Sequence, residues 1–267
     1  MIQTIDRRRF FSAMTGTLAC LGFGAGRAFG QAAATEEVLV FAAGAVQKPV
    51  AEMIAELAKL RPEIKVTAVY DTVGALRDRV LAGESPDLLL LSERALQALA
   101  EKGRLARGQY RPIGRTVAGL CAPGSSPEID ISTPEKLKAA LLAAPSIVHA
   151  DPARGATSGT HFRKVLGELG ILEAVAAKIT VIPFGGEIAP RVAKGEFALG
   201  ATQASEIVTV TGVRYLGPLP DPYGLVTVYG LASVKGLRMP DSAAAHLALL
   251  LMQEHGTAAF KRAGFMP

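Results

Sequence analysis

EVLVFAAGAVQKPVAEMIAEL, residues 37–57, decides the fold. Glu37 to Ala42 is an apolar run of strand character, and after Ala43, Gly44 and Ala45 the apolar residues Val46, Val50, Ile54 and Leu57 recur at helical spacing. A strand that stops at small residues and restarts as a helix leaves the helix N-terminus, with unsatisfied N–H groups and about half a positive charge, open to a solute. The same transition recurs at Tyr70–Ala75 (YDTVGA), Asp151–Thr160 (DPARGATSGT) and Phe184–Ile188 (FGGEI). Four such junctions predict helix N-termini converging on one cleft that binds a small anion.

Outward from the first unit, Ile64 to Tyr70 is a second strand and Gly74 to Leu81 a short helix. The turn Gly83-Glu84-Ser85-Pro86 precedes a fully apolar strand, Asp87 to Leu91, and Ser92 opens a helix through Leu99. Alternation of this kind implies a parallel sheet with helices on both faces. At Arg115 the character changes. Thr116 to Ala122 and Ile147 to Ala150 are strands separated by a helix announced by Ser132-Thr133-Pro134-Glu135, in which Ser132 and Glu135 have capping-box spacing. A second layer follows: a helix from Ser158 through Leu166, a strand Thr180 to Pro183, a helix Glu187 to Val192 and a strand Ala198 to Ala201. Pro218 to Tyr223 reads as rigid and extended, Leu225 to Leu231 as another strand, and Ala243 to Glu254 as a closing helix. This order predicts an α/β clamshell, each lobe a mostly parallel sheet flanked by helices. Residues 33–114 and 223–267 form one lobe and 115–222 the other, joined by two hinge crossings, with the ligand beyond the carboxyl ends of the strands.

The N-terminus, Asp6-Arg7-Arg8-Arg9-Phe10-Phe11 followed by an apolar stretch from Ala13 to Phe23 and small residues to Ala32, has the form of a twin-arginine export signal. Residues 1–32 are therefore set apart from the fold, a periplasmic location is expected, and a lipid anchor at Cys20 is not. Of the chain's net charge of +5, only +2 lies after residue 32. No Lys/Arg run or basic-aromatic interleaving follows, and the chain has no tryptophan, so nucleic-acid binding has no support. Cys121, the one cysteine after the leader, lies in an apolar run and reads as a buried small hydrophobe; the 4 histidines have no metal-ligand spacing. Neither a metal nor another cofactor is expected.

The chain resembles the type II periplasmic solute-binding proteins and, within them, the molybdate-binding subfamily. The resemblance is carried by Val40-Phe41-Ala42-Ala43, by Gly83-Glu84-Ser85-Pro86-Asp87 followed by Leu88 to Ser92, by Asp151-Pro152, by Leu199-Gly200 and by Phe260-Lys261-Arg262-Ala263-Gly264-Phe265. It implies a monomeric receptor that closes around a small solute and delivers it to an inner-membrane ABC permease powered by a separate ATPase. The chain departs from the molybdate pattern at three places. Ala45 stands where a serine hydroxyl is typical, Asp71-Thr72-Val73-Gly74 replaces a serine-rich turn, and Gln203 aligns with a ligand-contacting tyrosine.

The expected ligand contacts are Gly44, Ala45, Thr72, Val73, Arg154, Thr157, Ser158, Gly185, Gly186, Gln203 and Tyr223. Arg154 in this set offers a two-pronged donor suited to a planar carboxylate, with a solvated loop position or pairing to Asp151 as the plain alternatives. Thr157 and Ser158 suit a helix cap as well as a ligand. An organic carboxylate is thus the first expectation and a molybdate or tungstate oxyanion the second. A sensor subunit would use the same clamshell. A serine hydrolase is disfavoured: Asp151, Ser158 and His161 are triad residue types, but Ser158 and His161 fall three apart on one helix and no Gly-x-Ser-x-Gly elbow is present.

Overall fold

The computed structural model describes residues 36–106, 109–234 and 242–267; the expected leader, with Cys20 in it, lies outside the described residues. Three parallel strands open the first lobe: β1 (Glu36–Ala43), followed by α1 (Gln47–Leu60); β2 (Ile64–Asp71), followed by α2 (Val73–Leu81); and β3 (Leu88–Ser92), followed by α3 (Glu93–Glu101). β1 lies between β2 and β3, with Phe41 beside Val69 and Leu89. Leu88 to Leu91 are buried throughout because helices cover both faces of β3, so the strand shows no polar alternation.

β4 (Tyr110–Pro123) then runs through both lobes. Tyr110 to Val117 pair antiparallel with the later strand β9, Ala118 to Cys121 pair with β7, and β8 adds to the same end of β4. Between Val117 and Ala118 one strand therefore passes from lobe to lobe. The return crossing lies against it: Leu219 N–H donates to Ala118 O at 3.1 Å and Ala118 N–H to Leu225 O at 3.0 Å. Two adjacent crossings of this kind form a hinge.

The second lobe repeats the plan with α4 (Pro134–Ala143), β5 (Ile147–Ala150), α5 (Thr157–Glu168), α6 (Leu172–Val175), β6 (Ile179–Ile182), α7 (Ile188–Ala193), β7 (Leu199–Gln203), α8 (Ala204–Ile207) and β8 (Val213–Pro218). β5, β6 and β7 are parallel. β9 (Val226–Ala232), α9 (Ala243–Met252) and α10 (Glu254–Arg262) return to the first lobe, and the sheet order is β2-β1-β3-β9-β4-β7-β5-β6, with β8 on β4. Separate cores follow. Phe41, Leu76, Leu89, Leu96 and Leu247 pack in the first lobe, and Leu120, Leu137, Ile147, Phe162 and Leu199 in the second.

Four local expectations are corrected. β4 begins at Tyr110, not Thr116, because its half-exposed first part is held by β9 rather than by burial. Thr133, not Ser132, caps α4, accepting from Lys136 N–H at 3.3 Å, while Ser132 N–H donates to Asp130 Oδ1. β8 was not anticipated. The closing helix breaks at Gln253, where Gly256 packs so closely on the Leu250 and Leu251 carbonyls that a Cβ there would lie 2.3–2.4 Å from them.

Candidate functional site

Beyond the carboxyl ends of β1, β2, β5 and β6 the lobes border a small cavity of ≈ 30 Å³. The first lobe lines it with Ala43, Gly44, Ala45, Asp71, Thr72, Val73 and Tyr229, the second with Ala150, Ala156, Thr157, Ser158, Phe184, Gly185, Gln203 and Glu206. All four sequence junctions reach this one space.

In the first lobe the donors are almost entirely backbone. Ala43 precedes a 3-10 turn, Gly44–Val46, that no side chain caps. Thr72 caps α2: its Oγ1 accepts from Ala75 N–H at 3.2 Å and donates to the Arg154 carbonyl of the opposite lobe, so the hydroxyl already has partners. Gly74 N–H donates to Gly155 O at 3.1 Å, a second bond between the lobes. Only glycine allows that approach, because a Cβ on Gly74 would lie 2.6 Å from Gly155 Cα and 2.7 Å from Arg154 O. The lobes touch here, and the cleft is closed.

The second lobe supplies the chemistry. α5 starts after Ala156 with no side-chain cap, and its first-turn N–H groups, at Thr157, Ser158 and Gly159, come before the first backbone bond of the helix, Thr160 N–H to Ala156 O. Ala156 and Ser158 are buried, so these donors are shut away from bulk water in the cavity wall. A buried helix end with unpaired donors is costly unless a solute satisfies it. Thr157 and Ser158 are therefore not caps; they are the first and second residues of the helix. Gly185 begins another uncapped turn.

At the base lie Gln203, Glu206 and Tyr229. Gln203 Nε2 donates to Thr227 Oγ1 at 3.1 Å, and Gln203 and Glu206 close a capping box at the start of α8. Glu206 Oε2 accepts from Thr202 Oγ1 and, at 3.3 Å, from Gln203 N–H. Burial raises the pKa of Glu206 against the opposing effect of these two donors. Burial, with the Glu206 charge adding to it, likewise raises that of the Tyr229 phenol.

Eight expected contact residues line the cavity: Gly44, Ala45, Thr72, Val73, Thr157, Ser158, Gly185 and Gln203. Three do not. Arg154 stands at the exposed rim, where its Nη2 reaches Asp71 Oδ1 at 2.9 Å and Oδ2 at 2.8 Å, an ion pair that joins the lobes instead of a fork aimed at the ligand. Gly186 lines a separate outer groove that also takes in Gly44 and Glu206. Tyr223 packs on the second core, and its carbonyl receives His161 Nε2 at 2.8 Å. That contact also engages the imidazole away from Ser158, and Asp151 Oδ1 accepts from Ala153 N–H at 2.9 Å, so no triad is assembled. Cys121 is buried, its thiol pushed up to about 12, which leaves it unreactive.

Ala43, Asp71, Ala150, Ala156, Phe184, Glu206 and Tyr229 also line the cavity and lie outside the expected contact set. For Glu206 a signal existed: Gln203-x-x-Glu206, directly after an apolar strand, has the spacing of a capping box, which turns the glutamate back toward the strand end.

The sequence pattern of the family described as Bacterial extracellular solute-binding protein matches residues 38–266. A protein of a Pseudomonas sp. named Aconitate isomerase is 29% identical over 185 residues, which are 69% of this chain and 69% of that protein. Among solved structures, the Azotobacter vinelandii periplasmic molybdate-binding protein superposes with a TM-score of 0.69 at 17% identity, covering 86% of this chain and 99% of its own. The substrate-binding protein of an ABC transporter from Agrobacterium tumefaciens gives a TM-score of 0.69 at 18% identity, covering 88% and 80%. At such identities these two structures speak for the two-lobed fold alone.

Proposed function

We propose a function from one premise: the chain belongs to the bacterial extracellular solute-binding proteins. It captures a small organic carboxylate in the cleft between its lobes and presents the closed form to an inner-membrane ABC permease, whose separate ATPase drives import. The uncapped N-terminus of α5 carries this reading, since its first-turn N–H groups favour an anionic acceptor and no side chain among the described residues caps them. Three further points favour a carboxylate over molybdate. Ala45 offers no hydroxyl, the Thr72 hydroxyl is engaged by the Arg154 carbonyl, and the named relative acts on aconitate, a carboxylate. The export signal, the periplasmic location and the monomeric state belong to the same proposal.

Ligand in contact with both lobes shifts the open–closed equilibrium, whereas contact with one lobe would not. A thermal-shift panel on ligand-free protein, with mono-, di- and tricarboxylates, molybdate, tungstate and sulfate, tests the reading. A ligand at a hundred times its Kd adds about 2.7 kcal/mol, a rise of roughly 5–10 °C for a chain of this length. Shifts with molybdate and tungstate alone would overturn the carboxylate reading.

A second reading, that the cleft isomerises an unsaturated carboxylate, is favoured by the same relative and by the titratable Glu206 in the cavity wall. Proton NMR of cis-aconitate incubated with the protein in D2O reads it directly: geometric conversion with loss of the methylene signal supports isomerisation, and an unchanged spectrum leaves binding alone.

A further inference from the structure

A cavity built to attract an anion contains, at its base, a carboxylate side chain. Glu206 has no basic side chain within ion-pair distance among the described residues. Its one pair of hydrogen bonds goes to Oε2, from Thr202 Oγ1 and Gln203 N–H, an ordinary capping role at the start of α8. Oε1 has no partner. It lies against the two glycines of the cleft wall: a Cβ on Gly44 would stand 2.6 Å from it and one on Gly185 3.0 Å. The glutamate thus occupies the seam where the first junction of one lobe meets the fourth junction of the other. A site that held only a fully ionised carboxylate would give Glu206 Oε1 nothing to accept and would set two like charges together where the lobes meet.

We propose that Glu206 captures the ligand together with a proton, held between its Oε1 and a carboxylate oxygen of the bound solute. The inference rests on the carboxylate reading above. Neutral Glu206 is a donor to the ligand at the point where the lobes meet, and it discriminates in favour of solutes with an oxygen that can share a proton. Burial, which already favours the acid form, lowers the cost of carrying that proton. Exchange with solvent has a route, because Glu206 also lines the outer groove with Gln47, Lys48 and Thr209.

Other titratable groups near the seam are otherwise engaged. Asp71, across the cleft, is paired with Arg154, and burial keeps the Tyr229 phenol protonated. Of the groups on elements packed against α8, Cys121 and Tyr215 are pushed up to about 12, Arg191 is bonded to Glu196, Arg214 to the Gly124 carbonyl, and Arg115 is exposed. Lys48, in the outer groove, is exposed as well.

Calorimetry of the full chain with trans-aconitate, in Tris and in HEPES at one pH, separates proton uptake from binding heat. Wild type is expected to take up about one proton per ligand bound, and its Kd to weaken by up to about tenfold per pH unit above the Glu206 pKa of the free protein. Glu206→Gln keeps the shape and a neutral donor. It is expected to bind at neutral pH at least as tightly as wild type, with the proton uptake abolished, its melting curve reporting that it folds. Binding without proton uptake in wild type, or undiminished uptake in Glu206→Gln, would overturn the inference and leave carboxylate capture standing. Failure of trans-aconitate and of every other carboxylate in the panel to bind would remove the carboxylate reading itself, and this inference with it.

Discussion

The two lobes have the same plan, three parallel strands closed by antiparallel returns, yet they bring different chemistry to the cleft. The first lobe offers the backbone at Gly44, Ala45 and Val73, small apolar side chains and the Tyr229 phenol, with the Thr72 hydroxyl and the Asp71 carboxylate tied to the opposite lobe. The second offers the bare start of α5, the Thr157 and Ser158 hydroxyls, and the polar side chains of Gln203 and Glu206. One lobe therefore acts as a cover that recognises charge without regard to its bearer. The other reads the ligand's oxygen atoms.

The sharpest way to break this division is to keep the cover from closing. Gly74→Ala puts a methyl group where the backbone of Gly155 now lies. Each lobe retains its own core, so the melting temperature changes little, whereas affinity for a carboxylate falls by about a hundredfold, a coupling energy of about 3 kcal/mol. Calorimetry together with small-angle scattering, which should show the protein open even with ligand present, checks it. The mirror-image change is Gly159→Ala, whose Cβ would sit 1.9 Å from the Ala150 carbonyl inside the second lobe. There the cost is one of overpacking, about 1–3 kcal/mol, and melting should drop by roughly 3–10 °C. If Gly74→Ala instead unfolded the chain and Gly159→Ala spared it, the lobes would not be the independent units described.

Glu206 sharpens the contrast in the absence of ligand. Burial raises its pKa in the folded state, so its contribution to stability is fully present below the ordinary carboxylate range and is lost as pH rises through the raised value. Glu206→Gln does not suffer that loss. The variant should melt higher than wild type near neutral pH, with the gap closing as pH falls toward about 4. A gap that widened on acidification would mean that the folded state favours the ionised glutamate. Ser158→Ala is a smaller change, removing one hydroxyl from the reading lobe while leaving the α5 amides in place; about 1 kcal/mol, a fivefold loss of affinity, is expected by calorimetry.

What could be read in advance follows the same division. Fully covered parallel strands write themselves as apolar runs, so Leu88 to Leu91 is plain, as is Ile147 to Ala150 despite its His149, and as are the small residues where strand gives way to helix. β8 was not, because every residue from Val213 to Gly217 is half-buried and the strand has neither an apolar run nor a clean alternation. Glu206 is absent from the sequence reading because its role depends on Gly44, 162 positions away and in the other lobe. Distance in sequence also hid the partner of Arg154.

That arginine gives the smallest expected effect and the most direct check on the sequence reading. An arginine beside a helix start is a natural clamp for a carboxylate, and a clamp that lost its guanidinium would cost at least about 1.5 kcal/mol of affinity. In the structure the guanidinium is held by Asp71 across the cleft, with 42% of the arginine side chain exposed and 24% of the aspartate's. An exposed pair contributes about 0–1 kcal/mol and is weakened by salt. Arg154→Ala should therefore reduce affinity no more than about fivefold, and the reduction should shrink between low and high ionic strength. Asp71→Asn should behave alike, since both variants break the same latch, and the double variant should cost no more than either alone. A loss of more than tenfold in Arg154→Ala that Asp71→Asn did not share would return the arginine to the ligand and make the latch a resting place for it.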